Sequence, residues 1–160
     1  MKKKKCKIPS WIIPILLLLF IFAYDNIIFS LNKFPIRVTG SSMLPNYENG
    51  SFEFVDTTKK IERFSVVVAN PQSKYYGGVI KRVVALPGET VEVTKDAVLI
   101  NGSPLDALSF YQAEEMNSQP CSYTLEEDEY FLMGDNVNAS EDSRTFGPVK
   151  KEKIRGIIEK

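Results

Sequence analysis

The chain of 160 residues contains no histidine, and that absence excludes more chemistry than any other feature of its composition. Without imidazole there is no Ser-His-Asp or Cys-His hydrolase, no His-ligated zinc and no His general base. Acid-base work falls to Lys, Asp, Glu, Tyr or a terminal amine. Cysteine is scarce, with Cys6 and Cys121 alone. No internal repeat is visible, and no low-complexity segment beyond a short lysine run. With 44% hydrophobic and 25% charged residues, the chain has the means to bury a core, and its length allows one ordinary domain plus an appendage.

A formal net charge of zero hides an asymmetry. Lys2, Lys3, Lys4, Lys5 and Lys7 put five positive charges in the first seven residues, leaving 15 basic against 20 acidic groups in the rest, a net of −5. A body so charged is a poor polyphosphate binder, so the basic cluster does not indicate nucleic acid. It stands beside Trp11 to Tyr24, 14 residues without a charge, then Asp25-Asn26 and the apolar Ile27 to Leu31. Two readings compete, a cleaved signal peptide and a retained anchor. The run exits through Ala23-Tyr24-Asp25, without small residues at −3 and −1, which favours the anchor. A helix from Trp11 to Leu31 spans ~31 Å at ~1.5 Å per residue, about the hydrocarbon thickness of a bilayer. The lysines then place residues 1–10 as a cytoplasmic tail, 11–31 as a single-pass transmembrane anchor and 32–160 as an extracytoplasmic domain at the cell membrane. Cys6 and Cys121 would lie on opposite sides of the bilayer and form no disulfide with each other. Cys121 reads as a lone thiol in a loop.

The remaining residues read as mainly β, by alternation or by short apolar runs bounded by turn residues. Expected strands are Ile36 to Thr39, Ser51 to Asp56, Phe64 to Ala69, Val79 to Leu86, Thr90 to Thr94, Ala97 to Asn101, Glu129 to Met133 and Ile154 to Glu159. A hairpin turn is expected at Lys95-Asp96, and another turn at Asn101-Gly102. Ala107 to Asp128 has no clear period and reads as an acidic surface insertion, with one helical turn around Tyr111 to Met116.

Three polar or mixed segments interrupt this pattern. Thr39-Gly40-Ser41-Ser42-Met43-Leu44-Pro45 suits a tight loop that holds a hydroxyl exposed, or an ordinary Gly/Ser/Pro turn. In Gly77 to Glu89 a β-branched run carries Lys81 and Arg82 on opposite faces, Lys81 with Val79 and Val83. One of the two bases is expected to face an apolar interior. Burial lowers a lysine pKa, and moving it from ~10.4 to ~8 takes roughly 3 kcal/mol of desolvation, which turns the amine into a general base. The alternative is an edge strand whose lysine reaches water. Gly134-Asp135-Asn136-Val137-Asn138-Ala139-Ser140-Glu141-Asp142-Ser143-Arg144 reads as a loop held by side-chain to backbone hydrogen bonds, and it lacks the glycine and terminal glutamate of an EF-hand.

In order, content and spacing these segments together resemble the type I signal peptidases, the bacterial leader peptidases of Ser/Lys peptidase family S26, in a short Gram-positive-like form. The resemblance implies an antiparallel β-sheet or partly open barrel as catalytic domain, preceded by the transmembrane helix. It also implies a hydrolase, a serine endopeptidase that cleaves signal peptides from exported preproteins at the outer membrane surface. Ser42 is then the nucleophile and Lys81 the general base. Ser140 corresponds to a serine that hydrogen-bonds the lysine amine, and Asp142 and Arg144 to a pair that braces the site. The backbone N–H of Ser42 belongs to the oxyanion hole. Gly40 stands where some members carry a serine whose hydroxyl donates to the oxyanion, Asn46 replaces a threonine, and Val137 replaces a frequent arginine. No metal or cofactor is implied. Expected partners are signal peptides, the lipid bilayer and, as a further candidate, the secretion translocon. A second expectation is a non-enzymatic or dedicated relative that assembles surface structures such as pili, against which the retention of both Ser42 and Lys81 counts.

Overall fold

A computed structural model of the chain describes residues 11–72, 77–105 and 120–159, except for the side chains of residues 25, 26 and 28–31. The expected lysine-rich tail, the first part of the acidic insertion and its helical turn lie outside these residues. The chain divides into two units, residues 1–34 and 35–160. In the first, α1 is a 21-residue helix, Ile12–Asn32, whose leucine, isoleucine and phenylalanine side chains from Ile13 to Phe22 are largely exposed. Among the described residues, no helix is long and apolar enough to cross a membrane.

The second unit is built from short strands because β-branched residues recur at every second position between turn residues. In chain order they are β1 (Lys33–Arg37), β2 (Phe52–Asp56), β3 (Val66–Ala69), β4 (Val79–Ala85), β5 (Thr90–Val93), β6 (Val98–Ile100), β7 (Ser103–Pro104), β8 (Cys121–Thr124), β9 (Glu129–Met133), β10 (Val149–Lys150) and β11 (Ile154–Ile158). They form a seven-stranded sheet, ordered β1-β2-β11-β3-β4-β9-β10, and a four-stranded sheet, ordered β7-β6-β5-β8. The pairings recorded in both are antiparallel. A short helix, α2, spans Ser143–Phe146.

The expected strands are present within a few residues of their predicted ends, and three more were not foreseen. The last of these to matter, β8, lies inside the segment read as irregular and pairs with β5 through Val91 opposite Tyr123. Cys121 is therefore a strand residue, and the expectation of a loop thiol is corrected. Both predicted turns form. Thr94 and Ala97 close the first by a 2.9 Å backbone bond, and Asn101 and Gly102 both take positive φ in the second.

Alternation sorts β4 and β9 into two cores. Val84, Phe131 and Met133 join Val91, Val93, Val98 and Ile100 of the small sheet. Val83 and Leu132 face the other way, with Val67, Tyr130, Val149 and Ile157. Truncating a residue as central as Phe131, which is fully buried, costs about 3–5 kcal/mol in such a setting. The rigid result is that β4 runs through the middle of the large sheet, paired on one side with β3 and on the other with β9.

Candidate active site

The loop between β1 and β2 carries Ser42. Its neck is closed by two backbone bonds, Val38 N–H to Ser51 O at 2.9 Å and Gly50 N–H to Val38 O at 2.8 Å. Its interior is pinned by Met43 and Tyr47, which are buried, so Ser42 is held between an anchored neighbour and the positive-φ turn at Gly40. A Cβ added to Gly40 would meet nothing within 4 Å; the backbone angle, at φ +90°, is what disfavours a larger residue there.

Lys81 reaches this loop from β4. Register sets Val67 opposite Lys81 and Val66 opposite Arg82, in the interior of the sheet, and the lysine is only 4% exposed. Its Nζ lies 2.7 Å from Ser42 Oγ. Desolvation is the largest influence on the amine and lowers its pKa from 10.5 to about 8; Asp142, Asp135 and Glu141 oppose the shift and Arg144 reinforces it. A lysine so placed is substantially neutral in mildly alkaline solution and can accept the hydroxyl proton.

The sequence predicts one buried base on β4; the structure buries both. Arg82 is 6% exposed and Asp135 fully buried. The guanidinium grips the Asp135 carboxylate at both oxygens, Nε to Oδ1 at 2.7 Å and Nη2 to Oδ2 at 2.6 Å, while Nη1 donates to Phe64 O at 2.9 Å. Register explains the pairing. Arg82 sits opposite Met133, the last residue of β9, so the chain leaving β9 passes Arg82 within two residues. The alternation of Lys81 and Arg82 was visible in the sequence, but the partner that neutralises the arginine was not.

Residues 134–136 also grip the Ser42 loop. Asn136 donates twice, from its backbone N–H to Ser42 O at 3.0 Å and from Nδ2 to Ser41 O at 3.2 Å. Gly134 must be glycine, since a Cβ there would sit 2.6 Å from Ser42 O and 2.6 Å from Ser140 Cβ. Asp142 caps α2 and accepts from Gly134 N at 3.0 Å, from Arg144 Nε at 2.8 Å and from Arg144 Nη2 at 2.7 Å. Arg144 Nη2 also donates to Val137 O at 2.7 Å. This pair therefore stitches residues 134–144 into a fixed wall beside the lysine. Ser140 behaves differently from expectation. Its Oγ is buried and has no hydrogen-bond partner, so the bond to the Lys81 amine that the resemblance implies is not made here; the amine is turned to Ser42 instead.

Ser42 and Lys81 open onto a cleft of about 520 Å³. Its lining includes Ile36 to Thr39, Gly77 to Ile80, Val68, Ala139 and Glu141. An open trough lined by both polar and apolar residues suits an extended peptide.

Comparison with known proteins gives the family. The family described as "Signal peptidase, peptidase S26" matches residues 8–159. Signal peptidase I P of Bacillus subtilis subsp. natto is 31% identical over 175 aligned positions, covering 99% of this chain and 90% of the relative. Signal peptidase IB of Staphylococcus aureus (strain COL) is 30% identical, covering 96% and 88%. Among solved structures, a signal peptidase I from Enterococcus faecalis V583 superposes with a TM-score of 0.50 at 34% identity, over 63% of this chain and 98% of its own. With a β fold of the same kind and the family's pattern matched from end to end of the described domain, the chain belongs to the signal peptidases of family S26.

Proposed function

We propose that the chain is a membrane-anchored serine endopeptidase that removes signal peptides from exported preproteins, with Ser42 as nucleophile and Lys81 as general base. The observation that carries this reading is the 2.7 Å contact between Ser42 Oγ and a lysine amine that burial holds near a pKa of about 8. Neutral Lys81 takes the hydroxyl proton as Oγ attacks the scissile carbonyl. The resulting ammonium gives that proton to the departing amine, and the acyl-enzyme is released by a water that Lys81 deprotonates in turn. The N–H of Ser42 is the backbone donor for the oxyanion; Gly40 adds no hydroxyl to it. The apolar walls of the cleft, Ile36, Val38, Val79 and Ile80 among them, suit small apolar residues at −3 and −1.

The anchor completes the proposal. Its support is the sequence: Trp11 to Leu31, which takes in residues whose side chains lie outside the described set, would span about the hydrocarbon core of a bilayer as one helix at ~1.5 Å per residue, and the lysine cluster before it would keep the N-terminus cytoplasmic. Ser42 lies 11 positions after Leu31, a reach of at most ~40 Å when extended, so the nucleophile works close to the outer leaflet, where signal peptides present their cleavage sites.

A labelled preprotein incubated with the wild-type chain and with Ser42→Ala tests the chemistry. Processing by the wild type alone is expected; equal processing by both removes Ser42 as nucleophile. Protease added to intact cells tests the topology, with loss of the domain after residue 32 expected and a released fragment starting near Tyr24 to Ser30 indicating a cleaved signal instead.

A further inference from the structure

The nucleophile loop carries a second attachment that is separate from the dyad. Asn46, four residues after Ser42, donates from Nδ2 to Asp135 Oδ2 at 2.9 Å, across 89 residues of sequence. The same carboxylate is held at both oxygens by Arg82, the residue that follows Lys81 on β4. One buried anion thus joins the loop of the nucleophile to the strand of the base. Charge does not require this bond, because the guanidinium already neutralises Asp135. The amide takes a remaining lone pair on Oδ2 and adds direction. Asn46 does not line the cleft among its described residues, so a direct contact with substrate is not its means of action.

We infer that Asn46 is a positioning residue which, through Asp135, fixes the distance between Ser42 and Lys81. This rests on the Ser/Lys reading given above. Proton transfer needs the hydroxyl within hydrogen-bond reach of the amine, and small misplacements of reacting groups cost large factors in rate. The grips from Asn136 hold the carbonyls of Ser41 and Ser42; the Asn46 bond instead leads, through Asp135, to the neighbour of the base.

The test uses the full chain in detergent with a labelled preprotein, at temperatures well below each variant's melting point. Asn46→Leu keeps the branched shape and removes the donor. It is expected to lower kcat about ten-fold while KM changes less than two-fold, and Asn46→Ala is expected to give the same split without adding a new contact. A lowered melting temperature with unchanged kcat overturns the inference, since Asn46 would then only stabilise the loop. A raised KM with unchanged kcat overturns it as well, because the residue would be shaping the cleft. Failure of both variants to fold makes Asn46 structural and ends the proposal. Ser42→Ala, run alongside, separates the two levels: an active Ser42→Ala removes the Ser/Lys reading itself, whereas an inactive one with a fully active Asn46→Leu removes Asn46 alone.

Discussion

Replacing Lys81 with Met keeps the apolar stem and deletes the amine, and it tests the base through both rate and stability. With a pKa of about 8, about one lysine in ten is neutral near pH 7, against roughly one in three thousand for an amine at its ordinary value. The wild-type rate is therefore expected to rise about ninety-fold from about pH 6 to about pH 9, along a single ionisation. The stability effect has a definite sign. Because burial lowers the folded pKa from 10.5 to about 8, the charged form is penalised by about 3 kcal/mol, fully below pH ~8 and fading between ~8 and ~10.5. Lys81→Met escapes that penalty but gives up the contact with Ser42 Oγ, worth about 1 kcal/mol. Near pH 7 the variant should be more stable by about 2 kcal/mol, and the difference should shrink by about 2 kcal/mol on going to about pH 9.5. Urea titrations of both proteins across this range, with preprotein cleavage measured in parallel, provide the comparison. A wild-type rate that is flat with pH, or a stability difference that does not move, refutes a buried neutral lysine; cleavage by Lys81→Met at the wild-type rate refutes its role as base.

Other expectations follow from the wall beside Ser42 and Lys81. Asp142→Ala strands the Arg144 guanidinium, whose side chain is 5% exposed, and should cost about 3–5 kcal/mol in a denaturant titration. Gly134→Ala drives a methyl group against Ser42 O and the Ser140 side chain; kcat should fall at least ten-fold, measured on the folded fraction by single-turnover cleavage. Ser140→Ala removes a buried hydroxyl that has no hydrogen-bond partner, so its thermal melting point should hold or rise, and a marked drop would show a bond absent from this structure.

The parts of the molecule that could be read from sequence are those where a local period is tied to burial. Val66–Ala69, Val79–Ala85, Glu129–Met133 and Ile154–Ile158 are long or apolar enough for that. β8 was missed because Cys121 to Thr124 alternate only between half-buried and exposed; their strand identity comes from the free edge of β5, which is a property of the partner. The two-residue strands β7 and β10 are too short to show any period. Ser42 and Lys81 were legible as a pair only because three segments occurred together in a familiar order. Arg82–Asp135 and Asn46–Asp135 span 53 and 89 residues, and they exist because of the register of β4 on β9 and the path of the nucleophile loop, neither of which a linear pattern encodes.

The neighbouring basic residues on β4 meet opposite surroundings: Arg82 is paired with Asp135, while the Lys81 amine is desolvated beside Ser42 Oγ. Arg82 holds the Asp135 carboxylate at both oxygens, and that carboxylate still favours the protonated Lys81 amine, against the larger effect of desolvation. The guanidinium thus fixes where that carboxylate stands relative to the amine. On the proposed Ser/Lys chemistry, Arg82→Gln, which removes a positive charge beside Lys81, would move the pH dependence of cleavage towards alkali without altering Ser42 or Lys81, and Asp135→Asn in the same background would bring it back.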